Sequence, residues 1–255
     1  MTQQGGRRSR GRRSGPRIDA ATRVAFGKKL RAWYTRNARD LPWRRTRDAY
    51  HVLVSELMLQ QTQVSRVVTR YGEFIDQFPT LIDVARAKPA RVMEAWEGLG
   101  YYARARNLHE LARQVTDHGR APDQPLPADP EALRALPGIG AYTAGAVASF
   151  AYERRAALVD TNVARVLKRV FAPSSNVKTT AGQRTVWAIA EAILPRTGRA
   201  TWVHNQALME LGALVCTARV AHCGRCPVRA LCATGVKHER NRSESGVKLR
   251  PRATP

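Results

Sequence analysis

The chain has 255 residues, 44% of them hydrophobic, enough for one large or two small folded domains with a proper core. It carries 43 Lys and Arg against 20 Asp and Glu, a formal charge of +23, which predicts a polyanionic partner through Coulomb attraction and counterion release from phosphate. No apolar run approaches the length of a membrane span and the start lacks a signal-peptide core, so no membrane partner is expected.

Residues 1–17 hold six Arg and no acid. Their glycines spoil helical amphipathicity, so the segment reads as a disordered basic arm rather than a transit peptide. Residues 237–255 form a basic tail of net charge +4, which leaves +13 on the body itself, residues 18–236. From Ile18 to Cys232 apolar spacings of three and four recur: in Phe26–Trp33, Val52–Val68, Phe74–Val84, Val92–Trp96 and Leu108–Val115. That is the period of a buried helix face. Phe78-Pro79-Thr80, Lys88-Pro89 and Gly98-Leu99-Gly100 break the pattern, and neither alternating strands nor a solenoid repeat appear. Arg120–Pro130, with four prolines, reads as a surface linker. Asp129-Pro130-Glu131 then supplies an N-cap, a first-turn proline and an early acid for a helix through Leu136. The expectation is an all-α protein.

Three features carry chemistry. Leu136-Pro137-Gly138-Ile139-Gly140-Ala141-Tyr142-Thr143 ends one helix and starts another, Tyr142 to Phe150. Gly138 and Gly140 permit a tight reversal whose exposed amides can hold a phosphate, although an ordinary helix–turn–helix corner looks the same in isolation. Glu56 is a lone carboxylate in an apolar stretch, Val52–Leu59, where desolvation would raise its pKa toward neutrality; an exposed helix face is the plainer reading. Cys216, Cys223, Cys226 and Cys232 follow C-x6-C-x2-C-x5-C. Their clustering points to a metal centre in a reducing compartment, and four close thiolates suit zinc or a cubane cluster alike.

The hairpin resembles that of the helix–hairpin–helix DNA glycosylases, the superfamily that includes endonuclease III. In that superfamily an aspartate opens a helix about twenty residues later, where this sequence has Asp160 in Leu158-Val159-Asp160-Thr161-Asn162-Val163. Read by itself, Asp160 is a plain N-cap of Thr161–Val170. The cysteine spacing is similar to the [4Fe–4S] loop of the same superfamily, with Arg219, His222 and Arg225 making the loop basic. Within it the chain resembles the MutY-type adenine DNA glycosylases over residues 25–236. The blocks are Leu41-Pro42-Trp43-Arg44, Ser55–Val64 with its Gln60-Gln61-Thr62 run, and Gly98–His109.

The resemblance implies a six-helix barrel, residues 45–154, and a cluster domain made of 18–44 with 155–236, enclosing a DNA-facing cleft. It implies that Glu56 gives a proton to the leaving base while Asp160 stabilises the positive sugar, a division known from glycoside hydrolysis. Bifunctional relatives carry lysine where this chain has Tyr142, so hydrolysis by water is expected, with Tyr142 bonded near Asp160. Gln61 and Tyr101 would wedge into the duplex, and Trp43, Arg44 and Gln206 would line the base pocket. Gly138 and Gly140 would meet the DNA backbone. The implied partner is double-stranded DNA with a mispaired or damaged base, bound by a monomer in a bacterial cytoplasm or a eukaryotic nucleus.

MutY-type relatives usually continue into a Nudix-like domain, and here a short basic tail follows Cys232. That keeps open the thymine/uracil mismatch glycosylases of the same fold, which share the hairpin tyrosine but lack the Gln-Gln-Thr run. A non-catalytic iron–sulfur DNA-binding protein would need neither Glu56 nor Asp160. A zinc-containing structural protein would explain neither the hairpin nor the Glu56 helix.

Overall fold

A computed structural model describes residues 18–117 and 126–235; the basic arm, most of the proline-rich linker and the basic tail lie outside these. The described residues hold eleven α-helices and no strand beyond an isolated bridge between Cys216 and Ala221. In chain order the helices are α1 (Ala20–Asn37), α2 (Ala49–Leu59), α3 (Val64–Gln77), α4 (Leu81–Arg86), α5 (Pro89–Ala95) and α6 (Ala103–Asp117). There follow α7 (Pro130–Arg134), α8 (Ala141–Phe150), α9 (Thr161–Phe171), α10 (Thr180–Ile193) and α11 (Gly198–Leu214). Among the described residues no helix is long and apolar enough to cross a membrane.

Short polar side chains set the helix starts. Asp19, Asp48, Thr80, Asp129, Asp160, Thr179 and Thr197 each accept a hydrogen bond from a first-turn amide of the helix that follows. Each such cap contributes about 1 kcal/mol. Prolines set several ends: α7 stops at Arg134, short of Leu136, because Pro137 disfavours helical backbone at the residue before it. Pro89 likewise holds Lys88 extended and separates α4 from α5, so the described residues between 45 and 154 carry seven helical segments, two of them, α4 and α5, short neighbours.

The apolar periodicity of Val52–Val68 suggested one helix. The structure breaks it between Leu59 and Val64, with Gln61 at φ +56°. Apolar spacing cannot foresee this break, because a distant cation, Arg104, binds the carbonyls of Leu57, Met58 and Gln60.

Helices α2 to α8 pack chiefly on one another, with α6 against α4 and α5, and α8 against α2 and α7. Helix α1 lies along α11, which also packs on α9. Phe26 of α1 meets Phe171 edge-on at 5.0 Å and His204 at 6.1 Å. The two groups join where α8 meets α11 and where the 3-10 turn Pro42–Arg44 meets α2. Helix α2 sits deepest, with nine of its eleven residues buried.

Candidate active site

A cavity of about 880 Å³ opens where α2, the α7–α8 hairpin, the start of α9 and one face of α11 converge. Trp43, Arg44, Glu56, Gln61, Gly138, Gly140, Tyr142, Asp160 and Gln206 all line it. Residues far apart in sequence are thus gathered on one space. From α11, the cavity receives Gln206, Met209, Glu210 and Ala213, the three- and four-residue spacing of a single helix face.

Glu56 is 3% exposed. Burial pushes its carboxyl up to about 7, the charge of Asp160 adds to the rise, and Tyr142 and Arg44 oppose it. The Tyr142 hydroxyl donates to Glu56 Oε2 at 2.6 Å and touches Met209 Sδ at 3.9 Å. Burial raises the Tyr142 phenol well above its ordinary value, so it stays a donor. Tyr142 thus bonds to Glu56, with the Asp160 charge close enough to act on both groups. Asp160 is engaged by its own helix, accepting from Val163 N at 2.6 Å and Asn162 Nδ2 at 3.0 Å.

Glu210 was not foreseen. Burial alone would raise its carboxyl, but hydrogen bonds from Arg39 and Arg44 overcome that and hold it at about 2. Arg39 donates from N at 3.0 Å, Nε at 2.8 Å and Nη2 at 2.9 Å, and Arg44 Nη2 donates at 2.8 Å. Arg44 Nη1 donates to Arg39 O at 3.0 Å, so the guanidinium expected to face a base is itself fixed from behind. Gln206, in contrast, is 5% exposed and its amide has no hydrogen-bond partner among the described residues. Trp43 is also buried, edge-on to Tyr71 at 5.5 Å.

The hairpin differs in detail from expectation. Gly138 adopts φ +74°, and a Cβ there would lie 2.6 Å from Asn107 Cβ, so only glycine fits. Gly140 has φ −85° and open space around it, so a side chain would not strain its backbone. No side chain caps α8, and Gly140, Tyr142 and Thr143 at its start line the cavity. Tyr101, 61% exposed, does not reach the cavity; it shares a neighbouring depression with Gln61, which lines both.

The four cysteines line one cavity of about 710 Å³ together with Arg219 and His222, which are exposed, as is Arg225 in the same loop. Burial pushes the Cys226 thiol up to about 11 and raises Cys232 as well. Cys216 Sγ accepts from Arg169 Nη1 at 3.3 Å and Cys232 Sγ from Gly235 N at 3.4 Å. A set of four soft donors with N–H groups aimed at sulfur fits a thiolate-ligated centre. Among the described residues no three ligand-type side chains are gathered as if around a single metal ion.

This loop is tied to the larger cavity. Arg165 donates to Cys216 O at 2.8 Å, Gly212 O at 2.8 Å and Asn162 Oδ1 at 2.7 Å, and Asn162 holds Asp160. A Cβ on Gly212 would lie 2.7 Å from Asn162 Cβ, so α11 approaches α9 at this point only through glycine.

Comparison with known proteins agrees with this architecture. The family described as HhH-GPD superfamily base excision DNA repair protein matches residues 54–192. The adenine DNA glycosylase of Homo sapiens is 43% identical over 223 residues, 84% of this chain and 40% of that protein. That of Mycolicibacterium smegmatis is 46% identical over 201 residues, 78% of this chain and 66% of that protein. The chain thus spans about two fifths of the human relative's length. A solved thermostable thymine-DNA glycosylase superposes with a TM-score of 0.75 at 31% identity, covering 86% of this chain and all of that one. An endonuclease III trapped on DNA superposes with a TM-score of 0.70 at 22% identity, covering 88% of this chain and all of that one, a likeness of fold. With more than half of its length matched by the family model, the chain belongs to the HhH-GPD superfamily of base excision DNA repair proteins.

Proposed function

We propose that the chain is a monofunctional DNA glycosylase that hydrolyses the N-glycosidic bond of adenine mispaired with G or 8-oxoguanine. The observation that carries this reading is Glu56: buried, holding a proton to about pH 7, and bonded to Tyr142 in a cavity that also presents Asp160. Glu56 gives its proton to a ring nitrogen of the flipped base, which leaves with the electrons of the C1′–N bond. The Asp160 carboxylate stabilises the positive sugar, water adds to C1′, and the proton released by that water goes to a carboxylate. Tyr142 offers no amine, so no Schiff base forms.

Trp43, Arg44 and the unpartnered amide of Gln206 recognise the base, and Gln61 and Tyr101 fill the gap it leaves. Gly138, Gly140 and the first amides of α8 hold a backbone phosphate. Cys216, Cys223, Cys226 and Cys232 would hold a [4Fe–4S] cluster through their thiolates, and its irons would cross-link these four positions and fix a basic DNA-facing loop. In this reading residues 45–154 form the barrel domain and 18–44 with 155–236 the cluster domain, acting as a monomer in the bacterial cytoplasm or the nucleus.

A second reading, removal of mismatched thymine, draws on the likeness to the thymine-DNA glycosylase at 31% identity. Duplexes carrying A, T or U opposite G and opposite 8-oxoguanine separate the two. Adenine release leaving an intact strand that breaks only in alkali is expected; release of thymine alone would favour the second reading, and a borohydride-trapped adduct would refute the monofunctional mechanism. Protein prepared without chelators is expected to contain about four irons per chain, and tightly held zinc without iron would refute the cluster.

A further inference from the structure

Arg104, in the first turn of α6, is 7% exposed, yet among the described residues no acidic side chain pairs with it. Its guanidinium donates to two chain segments at once. Nη1 lies 2.7 Å from Leu57 O, 2.9 Å from Met58 O and 2.6 Å from Gln60 O, at the end of α2. Nη2 lies 2.9 Å from Leu99 O, 2.8 Å from Gly100 O and 3.3 Å from Thr62 Oγ1, and Nε lies 3.4 Å from Tyr101 O. Thr62 Oγ1 adds a direct strut to Leu99 O at 3.3 Å. Carbonyls at a helix C-terminus form the negative end of its dipole, so they stabilise a buried cation without a carboxylate.

Each of the two joined segments presents one non-glycine residue in left-handed backbone, Gln61 at φ +56° and Tyr101 at φ +49°. Outside glycine this conformation is costly and persists only where neighbours over-determine it. Both side chains are exposed, and both rim the same surface depression. We propose that Arg104 is a positioning residue for base extrusion: it ties the Gln61 and Tyr101 loops into one rigid wedge, so that the two side chains enter the duplex together. The inference rests on the reading of the chain as a base-flipping glycosylase. It also accounts for arginine at this position, because a planar fork with five donors serves both loops and a lysine ammonium with three cannot.

The test uses the full chain carrying Arg104→Lys or Thr62→Val, each alone and combined with Gln61→Ala and Tyr101→Ala. In the free protein, amide hydrogen exchange is expected to speed up in residues 60–63 and 98–102 together, with α8 and α9 unchanged. On DNA, single-turnover excision by Arg104→Lys is expected to fall about tenfold on a fully paired duplex. On a duplex whose target is flanked by mismatches, and so already partly unstacked, the loss is about twofold. In the double-alanine background the Arg104→Lys loss should also shrink to about twofold, because the residues it acts through are gone. Equal losses on both duplexes, an undiminished loss in that background, or loosening of one loop alone would overturn the proposal. If Arg104→Lys does not fold, Thr62→Val, which keeps the buried cation, is judged by the same readouts. A wild-type protein that excises nothing would sink the glycosylase reading instead, and the exchange experiment would still decide whether the two loops are clamped as a unit.

Discussion

Two buried carboxylates face the same cavity, Glu56 from α2 and Glu210 from α11, and their proton affinities are driven in opposite directions. Burial penalises the charge of both. Glu56 has one neutral donor, the Tyr142 hydroxyl, and the nearby Asp160 charge opposes its ionisation, so it keeps a proton to about pH 7. Glu210 has two guanidinium partners and stays ionised down to about pH 2. Depth alone does not decide what a carboxylate can do; its nearest donors do. The α2 wall offers a proton, and the α11 wall offers a fixed charge array that holds Arg44 in place.

That contrast can be broken first at Glu56. Glu56→Gln keeps the Tyr142 contact and removes the titrating proton, so base excision should fall by roughly 10²- to 10⁴-fold with duplex affinity little changed. The same variant should be more stable than the wild type, by on the order of 3 kcal/mol at pH 8. The sign follows from linkage: the raised pKa costs nothing below the ordinary value of 4.5, and the penalty grows as pH rises to about 7. Urea denaturation at pH 4 and pH 8 reads the difference. Equal stabilities at both pH values would show that Glu56 is not held neutral by the fold.

Glu210→Gln should act the other way. It leaves two guanidiniums without their counter-charge and should destabilise by on the order of 3 kcal/mol at pH 7, the low end for a broken buried pair because Arg39 is 35% exposed and can turn to water. The depressed pKa contributes stability that is present above 4.5 and lost as pH falls toward about 2, so wild type and variant should converge on acidification. A variant as stable as the wild type at pH 7 would mean that the two arginines find other partners.

The smallest effect concerns Tyr142→Phe. The hydroxyl favours the ionised form of Glu56, so its removal should shift the alkaline limb of the excision pH profile upward, by up to about one unit. A downward shift would contradict the placement of that hydrogen bond.

Much of this arrangement was legible in the sequence wherever the signal is local. The Asp160 cap, the hairpin and the helix starts depend on residues within three or four positions of one another. Glu56 was legible as a lone acid in an apolar helix. The same sign was present at Glu210, the sole acid of α11, and reads as functional only once the face shared with Gln206 is seen to meet the cavity. Arg39 and Arg104 carry no local signal, since Glu210, which binds Arg39, and the α2 carbonyls, which bind Arg104, lie more than forty positions away. Gly140 gave the opposite error: its type suggested backbone strain, and its conformation is an ordinary extended one.

The near-neutral Glu56 makes the cavity a coupled reservoir of protons. Burial is the chief cause of the raised carboxyl, so an uncharged ligand that expels water from the cavity and donates no hydrogen bond to the carboxylate should raise its proton affinity further. Reciprocity then requires that such a ligand take up protons as it binds, and that its affinity weaken as pH climbs through neutrality. The acid would thus be loaded by the ligand's own arrival, with no moving part beyond the solvent that leaves.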